Sequence, residues 1–375
     1  MTQKTIGNSA TTRDNFFTPI RLCLAGAVAL SHSWIVFSGR SAPDPFAYND
    51  LTLSYMAVNG FFILSGFFIA KSLNDRQNLI SYFVSRALRI MPALLVLAAA
   101  AAFIIGPVTS GVPIWEALFR ADTYRYPLNV ISFLDTRGGP SGFAPTNPYS
   151  GEFSGSLWTL RYEVLAYAAA AGAFGLGLLF RRWVILGFLF CSCVSFIYLT
   201  RVGVPAFLPD SAWVFNRLGI AFLIGCAAYA WRHWIPLRLD LALLITLPAL
   251  FVDYRAESEL FANFALGYWL FLIGTAHAPR FNGFKRIDDI SYGLYIWHWP
   301  VMQVLLWKGL IDQPLHMAAT AIPVAILIGF VSWVLIEKPA LHQKSRFSDA
   351  IEQAAAVLRA RVFLPERKSA YQQVR

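Results

Sequence analysis

Ten predominantly apolar stretches succeed one another along the 375 residues, near 19–37, 53–70, 90–109, 157–180, 183–200, 212–231, 237–252, 260–279, 289–308 and 316–336. Most approach the roughly 20 residues that a helix needs to cross a hydrocarbon slab about 30 Å thick, 237–252 being the shortest. This succession constrains the fold more than any other feature. Inside a bilayer a segment of this length must satisfy its own backbone hydrogen bonds, and the helix does so within one segment. The chain is therefore expected to be an all-α integral membrane protein of about ten transmembrane helices. Composition agrees: 57% of residues are hydrophobic and 14% charged, against about 45–50% and 25% in soluble domains. The first stretch is interrupted by Arg21 and His32 and has no small-residue cleavage site after it, so it reads as a retained helix and not a signal peptide.

The formal charge of +10 raises the question of nucleic acid, and the placement of the 31 Lys and Arg residues answers it. With ten spans and the N-terminus inside, 22 of them fall on inner segments, 7 on outer loops and 2, Arg161 and Arg217, inside spans. That asymmetry predicts cytoplasmic N- and C-termini. No basic, aromatic-interleaved soluble module is present, so nucleic acid is not expected as a partner. Cys23, Cys191, Cys193 and Cys226 all lie in expected spans, which implies no disulfide framework. Cys191 and Cys193 point to different helix faces, and no metal site is visible.

Three regions follow: a cytoplasmic segment at 1–18, a membrane domain at 19–337 and a basic tail at 338–375. The longest outer connection, 110–156, ends in the Gly, Pro and Ser-rich GGPSGFAPTNPYSGEFSGS; it reads either as a cap over an outer cavity or as a disordered loop. Between the second and third spans, NLISYFVSRALRIMP has apolar positions at helical spacing and predicts a separate interfacial helix. The tail segment DAIEQAAAVLRARVFL fits a basic amphipathic helix on an anionic leaflet.

Ionisable residues inside the spans are the candidate site. Arg21 and His32 are eleven residues apart, three turns plus roughly 20°, so they share one helix face about 16 Å apart along the axis. Such groups cost roughly 2.5–3.5 kcal/mol or more at the bilayer centre and usually face a protein interior or a water-filled cavity. Arg86 and Arg89, three apart, offer two more guanidinium forks near the inner surface, suited to phosphates. All three arginines also have a purely topological reading, and His32 a purely structural one as an interhelical hydrogen-bond partner. Ser291, Tyr295 and His298 recur at four and three residues and line one polar face of the ninth span, either as part of a site or as a hydrogen-bond ladder. Arg161 and Glu163 lie two apart on different faces and fit an acceptor contact or structural ion pairs, with Arg217 a possible partner of Glu163. Glu337, before Pro339, fits helix closure or a pair with a cytoplasmic cation.

The Arg21 to His32 spacing, GFFILSGFFIA at 60–70, SRALRIMP at 85–92, SLWTLRYE at 156–163, SYGLYIWHWP at 291–300 and EKP at 337–339 together resemble acyltransferase family 3, the bacterial membrane O-acyltransferases. The resemblance spans nearly the whole membrane domain in order. It implies ten core spans in the bacterial inner membrane, an acyl-CoA co-substrate (acetyl-CoA foremost) entering from the cytoplasm, no metal, and transfer to a hydroxyl of an envelope carbohydrate or lipid-linked saccharide. On this resemblance His32 is the essential histidine and general base, and Arg21, Arg86 and Arg89 bind the donor. Ser291, Tyr295 and His298 are then candidate oxyanion or acceptor contacts, along with Arg161 and Glu163. The rival reading is a transporter or flippase of a saccharide-linked substrate, which predicts inverted repeats that the sequence does not show.

Overall fold

The computed structural model describes residues 4–9, 15–39, 43–140, 142–276 and 278–362. In chain order the main helices are α1 (Phe17–Ser38), α2 (Leu53–Arg76), α3 (Leu79–Ala100), α4 (Ile114–Phe119), α5 (Ala121–Ile131), α6 (Trp158–Gly175), α7 (Arg182–Val202), α8 (Ser211–Ala230), α9 (Leu239–Phe251), α10 (Arg255–Gly274), α11 (Ser291–Trp307), α12 (Pro314–Ser332) and α13 (Lys344–Val362). Among the described residues the only extended pairing is in isolated bridges. Among the described residues six helical runs are long and apolar enough to cross a membrane: α1, α2, Leu79–Thr109, α7, α8 and Pro314–Leu358. This is a multi-pass, all-helical membrane protein. Arg13, Arg40 and residues 363–375, which entered the charge sorting and the tail assignment, lie outside the described residues.

The expected interfacial helix is not a separate element. NLISYFVSRALRIMP forms the first half of α3, and the helix continues past Pro92 and through a π turn at Ala101–Ile105 to Thr109. The reason lies at its start. Gln77 takes a left-handed backbone conformation that ends α2, and the Asn78 side chain accepts from the Ser81 N–H, capping α3 at once; these are the stop and start signals of adjoining helices. The turn leaves no separate element between α2 and α3. The helix predicted in the tail is present as α13, packed along α3.

Helices α2 and α8 make the tightest crossing. A Cβ added at Gly66 would lie 2.0 Å from the Phe222 carbonyl oxygen, and one at Gly225 would lie 2.0 Å from that of Ile63. Small residues let backbones close in this way where lipid supplies no hydrophobic drive between helices. Gly293 and Gly329 play the same part where α11 meets α12. Arg217 does not pair with Glu163. It lies on the part of α8 that faces α2 and α10, where its guanidinium stacks 3.5 Å above the Tyr55 ring while the Tyr55 hydroxyl donates to Glu259 at 2.7 Å. Glu163 points elsewhere, into a cavity.

Residues 110–156 are folded, not disordered, over the described part of the loop. Helices α4 and α5 lead into a coil whose Phe143, Phe153, Ser154 and Ser156 are fully buried. Two side chains stitch that coil to α11. Asn147 donates to both the carbonyl and the side-chain oxygen of Gln303, and Gln303 donates back to the Tyr149 and Glu152 carbonyls, all at 2.8 Å. The bundle thus has a loop end, closed by residues 143–157, and a basic end, where α2 turns into α3.

The glycine crossing makes a contrast testable. Gly66→Ala and Gly225→Ala force backbone atoms apart and should lower the thermal unfolding midpoint of detergent-solubilised protein, by a destabilisation of about 1–3 kcal/mol or more. Gly26→Ala, with nothing within 4 Å of its added Cβ, should leave the midpoint unchanged or raise it, since Ala is the better helix residue by about 0.5–1 kcal/mol.

Candidate active site

Five helices converge on a cavity of about 120 Å³ in the basic half of the bundle. Arg21 of α1, Phe61, Ser65 and Phe68 of α2, Arg86 and Arg89 of α3, Thr159, Glu163 and Tyr167 of α6, and Ser291, Tyr292 and Tyr295 of α11 line it, with Asp289 just ahead of α11. Three guanidiniums and two carboxylates thus share one membrane-level pocket. Burying a charge is costly unless it is paired and hydrogen-bonded, and the pairing here is dense.

Asp289 organises it. Its Oδ2 lies 2.9 Å from Arg89 Nη2 and 3.4 Å from Arg21 Nη1, and its Oδ1 accepts from the Ser291 hydroxyl at 2.6 Å. Arg89 also reaches Glu337, fully buried at the π turn Trp333–Glu337, at 3.2 Å. Glu337 therefore pairs with a cation, one of its two expected roles. Arg86 forms no ion pair among the described residues; its guanidinium lies near the Tyr167 ring at 5.7 Å and its Nε is buried without a partner. Glu163 accepts from the Tyr167 hydroxyl one turn along α6.

Sequence reasoning did not single out Asp289. Its signal was the acid pair Asp288–Asp289 immediately before the ninth span, where a carboxylate suits a helix N-terminus, but its partners come from α1 and α3 and are a tertiary fact. Arg161, by contrast, is not in the cavity. Its guanidinium donates to the Phe133 carbonyl at 2.7 Å and to that of Leu134, holding the turn after α5 in place. The two-residue spacing from Glu163 had already put them on different faces.

Tyr295 closes the cavity toward the loop end. Its hydroxyl donates to the Ser156 carbonyl at 2.9 Å and meets Thr159 Oγ1 at 2.7 Å, and its ring packs edge-on against Phe61 at 5.9 Å. Beyond this aromatic layer stands His298, 6.0 Å from Tyr295 ring to ring and fully buried. His32 comes next, stacked on His298 with its Nδ1 2.9 Å from His298 Nε2. The cavity lining therefore does not include His32.

The tautomers follow from the hydrogen-bond chain. The Leu294 carbonyl, 3.2 Å from His298 Nδ1, can only accept, so His298 Nδ1 carries a proton. In a neutral ring its Nε2 is then an acceptor, and His32 Nδ1–H donates to it. His32 Nε2 is left with a free lone pair. The Trp299 indole meets the His32 ring edge-on at 5.1 Å and packs against Gly155, where a Cβ would come within 2.5 Å of the indole. An imidazole held in one tautomer and one orientation by a second histidine can take a proton from a hydroxyl. Among the described residues, no group of three or more His, Cys, Asp or Glu side chains gathers as metal ligands would.

Comparison with known proteins bears on what this arrangement serves. The chain is 25% identical over 347 residues to an "O-acetyl transferase" of Shigella phage Sf6, covering 89% of this chain and 98% of that one. It is 28% identical over 366 residues to "Nodulation protein 10" of Rhizobium leguminosarum bv. viciae, covering 88% and 94%. Over 316 residues it is 25% identical to "Exopolysaccharide production protein ExoZ" of Rhizobium meliloti (strain 1021), covering 78% and 91%. No solved structure matches the chain significantly. Residues 15–337, which hold every element of the cavity and the histidine pair, match the family model described as an acyltransferase domain, and the chain belongs to that family, acyltransferase family 3.

Proposed function

We propose that this protein is a membrane O-acyltransferase that moves an acyl group, acetyl in the simplest case, from acyl-CoA on the cytoplasmic side to a carbohydrate hydroxyl reached from the other side, with His32 as general base. The observation that carries the reading is the chain Leu294 carbonyl–His298–His32, which fixes the His32 ring and leaves the Nε2 lone pair free. The names of the relatives, an O-acetyl transferase and an exopolysaccharide production protein, support an O-linked carbohydrate acceptor. The excess of Lys and Arg at the basic end supports a cytoplasmic position for it.

In this reading His32 Nε2 takes the proton of the acceptor hydroxyl as its oxygen attacks the thioester carbonyl. The carbon–sulfur bond then breaks, and the proton passes to the departing thiolate, giving the ester and free CoA. General-base catalysis of this kind contributes about 10²–10⁴-fold. The donor enters the cavity from the basic end, with Arg86 offering a guanidinium that forms no ion pair among the described residues. Arg21 and Arg89, already bound to Asp289, shape the neck through which the pantetheine arm passes. Phe61 is the movable member of the layer before His32, because Tyr295 is tied to Ser156 and Thr159.

Ten spans with both termini cytoplasmic remain the topology that fits. Helices α6 and α10 fall outside the six long apolar runs because they carry residues such as Glu163 and Glu259, and α9 and α11, of 13 and 17 residues, fall outside by their length. Polar groups of that kind lower hydropathy without removing a helix from the membrane when they face the interior.

Inner-membrane vesicles supplied with acetyl-labelled acetyl-CoA should accumulate label on saccharide, and His32→Ala at equal expression should abolish it. Persistence of the label in that variant would remove His32 from the chemistry. His298→Gln keeps an acceptor for the His32 N–H and should retain activity within about tenfold, whereas His298→Leu should lose about 10²-fold or more in kcat with little change in donor KM. Equal loss in the two variants would mean that His298 acts by packing alone.

A further inference from the structure

The cavity beneath Tyr295 is not closed at the basic end. It continues into a mouth of about 460 Å³, the two sharing Arg21, Phe68, Arg86, Arg89 and Asp289. One helix face runs through both. On α2 the lining residues Arg76, Ser72, Phe68, Ser65, Phe61 and Val58 recur at intervals of four, four, three, four and three, which is the spacing of a single stripe. Eighteen residues at 1.5 Å make this wall about 27 Å long. Its character is graded, charged at the mouth, polar one turn in, and apolar with one serine from there to the aromatic layer. A ligand matched to it carries phosphate at one end and a slender, mostly apolar arm at the other.

The charges do not balance evenly along the stripe. In the neck, Arg21 and Arg89 are held by Asp289 and Glu337. At the mouth, Lys71 is paired with Asp75 at 2.5 Å, but Arg76 from the end of α2 and Lys344 from the start of α13 form no ion pair among the described residues. Ser72 Oγ, also lining the mouth, is buried without a partner. One residue ties these parts together. Asn78 caps α3 with its oxygen and donates through its nitrogen to Glu352 of α13 at 2.6 Å, so the α2–α3 turn that sets Arg76 also anchors the helix that bears Lys344.

We propose that Arg76 and Lys344 form the subsite for the terminal phosphate monoester of the CoA donor, the 3′-phosphate of its ribose, so that α13 is part of the donor site. The inference rests on the acyl-CoA reading above and deepens it. A phosphate monoester brings close to two negative charges and three acceptor oxygens, which two unclaimed cations at a rim suit better than the neutralised neck does. The diphosphate then lies further in, toward Arg86 and Ser72.

Binding of CoA and of 3′-dephospho-CoA to the purified full-length protein in nanodiscs, measured by calorimetry, tests this without needing the acceptor. Wild type should bind CoA roughly tenfold or more tightly than the dephospho form, the size expected for a charge-assisted phosphate contact. Arg76→Gln and Lys344→Gln should each shrink that ratio toward one, and Lys344→Arg should restore most of it. Wild type binding both forms equally would overturn the subsite while leaving the donor reading intact. A ratio unchanged in both Gln variants would overturn the assignment to these two residues. Failure of wild type to bind either form would remove the acyl-CoA reading itself, and the subsite with it.

Discussion

The ion cluster around Asp289 is the interaction on which the rest depends. Arg21 comes from α1 and Arg89 from α3; α11 begins two residues after Asp289, and Glu337 adds the turn after α12 through Arg89. Four helices are thereby tied at one level by groups that would be prohibitively costly in lipid if unpaired. The same bonds set the register of α11, and with it the height at which His298 meets His32 of α1. A cluster that reads locally as charge neutralisation therefore fixes how far the histidine pair stands from the cavity.

Much of the candidate site could be read along the chain, because helical spacing carries over directly into faces. Ser291, Tyr295 and His298 do share a face, and Arg161 and Glu163 do diverge. What could not be read were partners drawn from distant elements. Arg217 found Tyr55 and Glu259 and not Glu163, since which helices adjoin α8 is decided by the Gly66–Gly225 crossing and not by local pattern. Asp289 looked like a boundary residue for the same reason. The segment 79–92 is amphipathic enough to lie in an interface, but the cap at Asn78 and the run through Pro92 made it one helix with the third span. Pro92 cost the helix one backbone hydrogen bond, and the neighbouring helices hold it in place.

The loop at 110–156 illustrates how composition misleads. Its Gly, Pro and Ser content suits disorder, yet those residues let the backbone pass close to α11, as Gly155 does against Trp299. The hydrogen bonds through Asn147 and Gln303 use a glutamine that looks like an isolated polar residue in an apolar helix. Both Gln303 amide hydrogens are engaged by loop carbonyls, so the loop supplies what the lipid could not. The histidine pair is enclosed in this way from the loop end as well.

The layer formed by Phe61 and Tyr295 has a consequence beyond reactant positioning. A site approached from both faces of a membrane is a hazard to the cell, because a continuous file of water through it would let protons and ions run down their gradients, a driving force of about 2.3 kcal/mol per charge for each 100 mV. Here the polar cavity stops at two aromatic rings, and the Tyr295 hydroxyl is engaged by the Ser156 carbonyl and by Thr159. A dry constriction of this kind resists wetting. On the proposed reading, a charged pocket reached from both faces of a membrane is thereby kept from short-circuiting it.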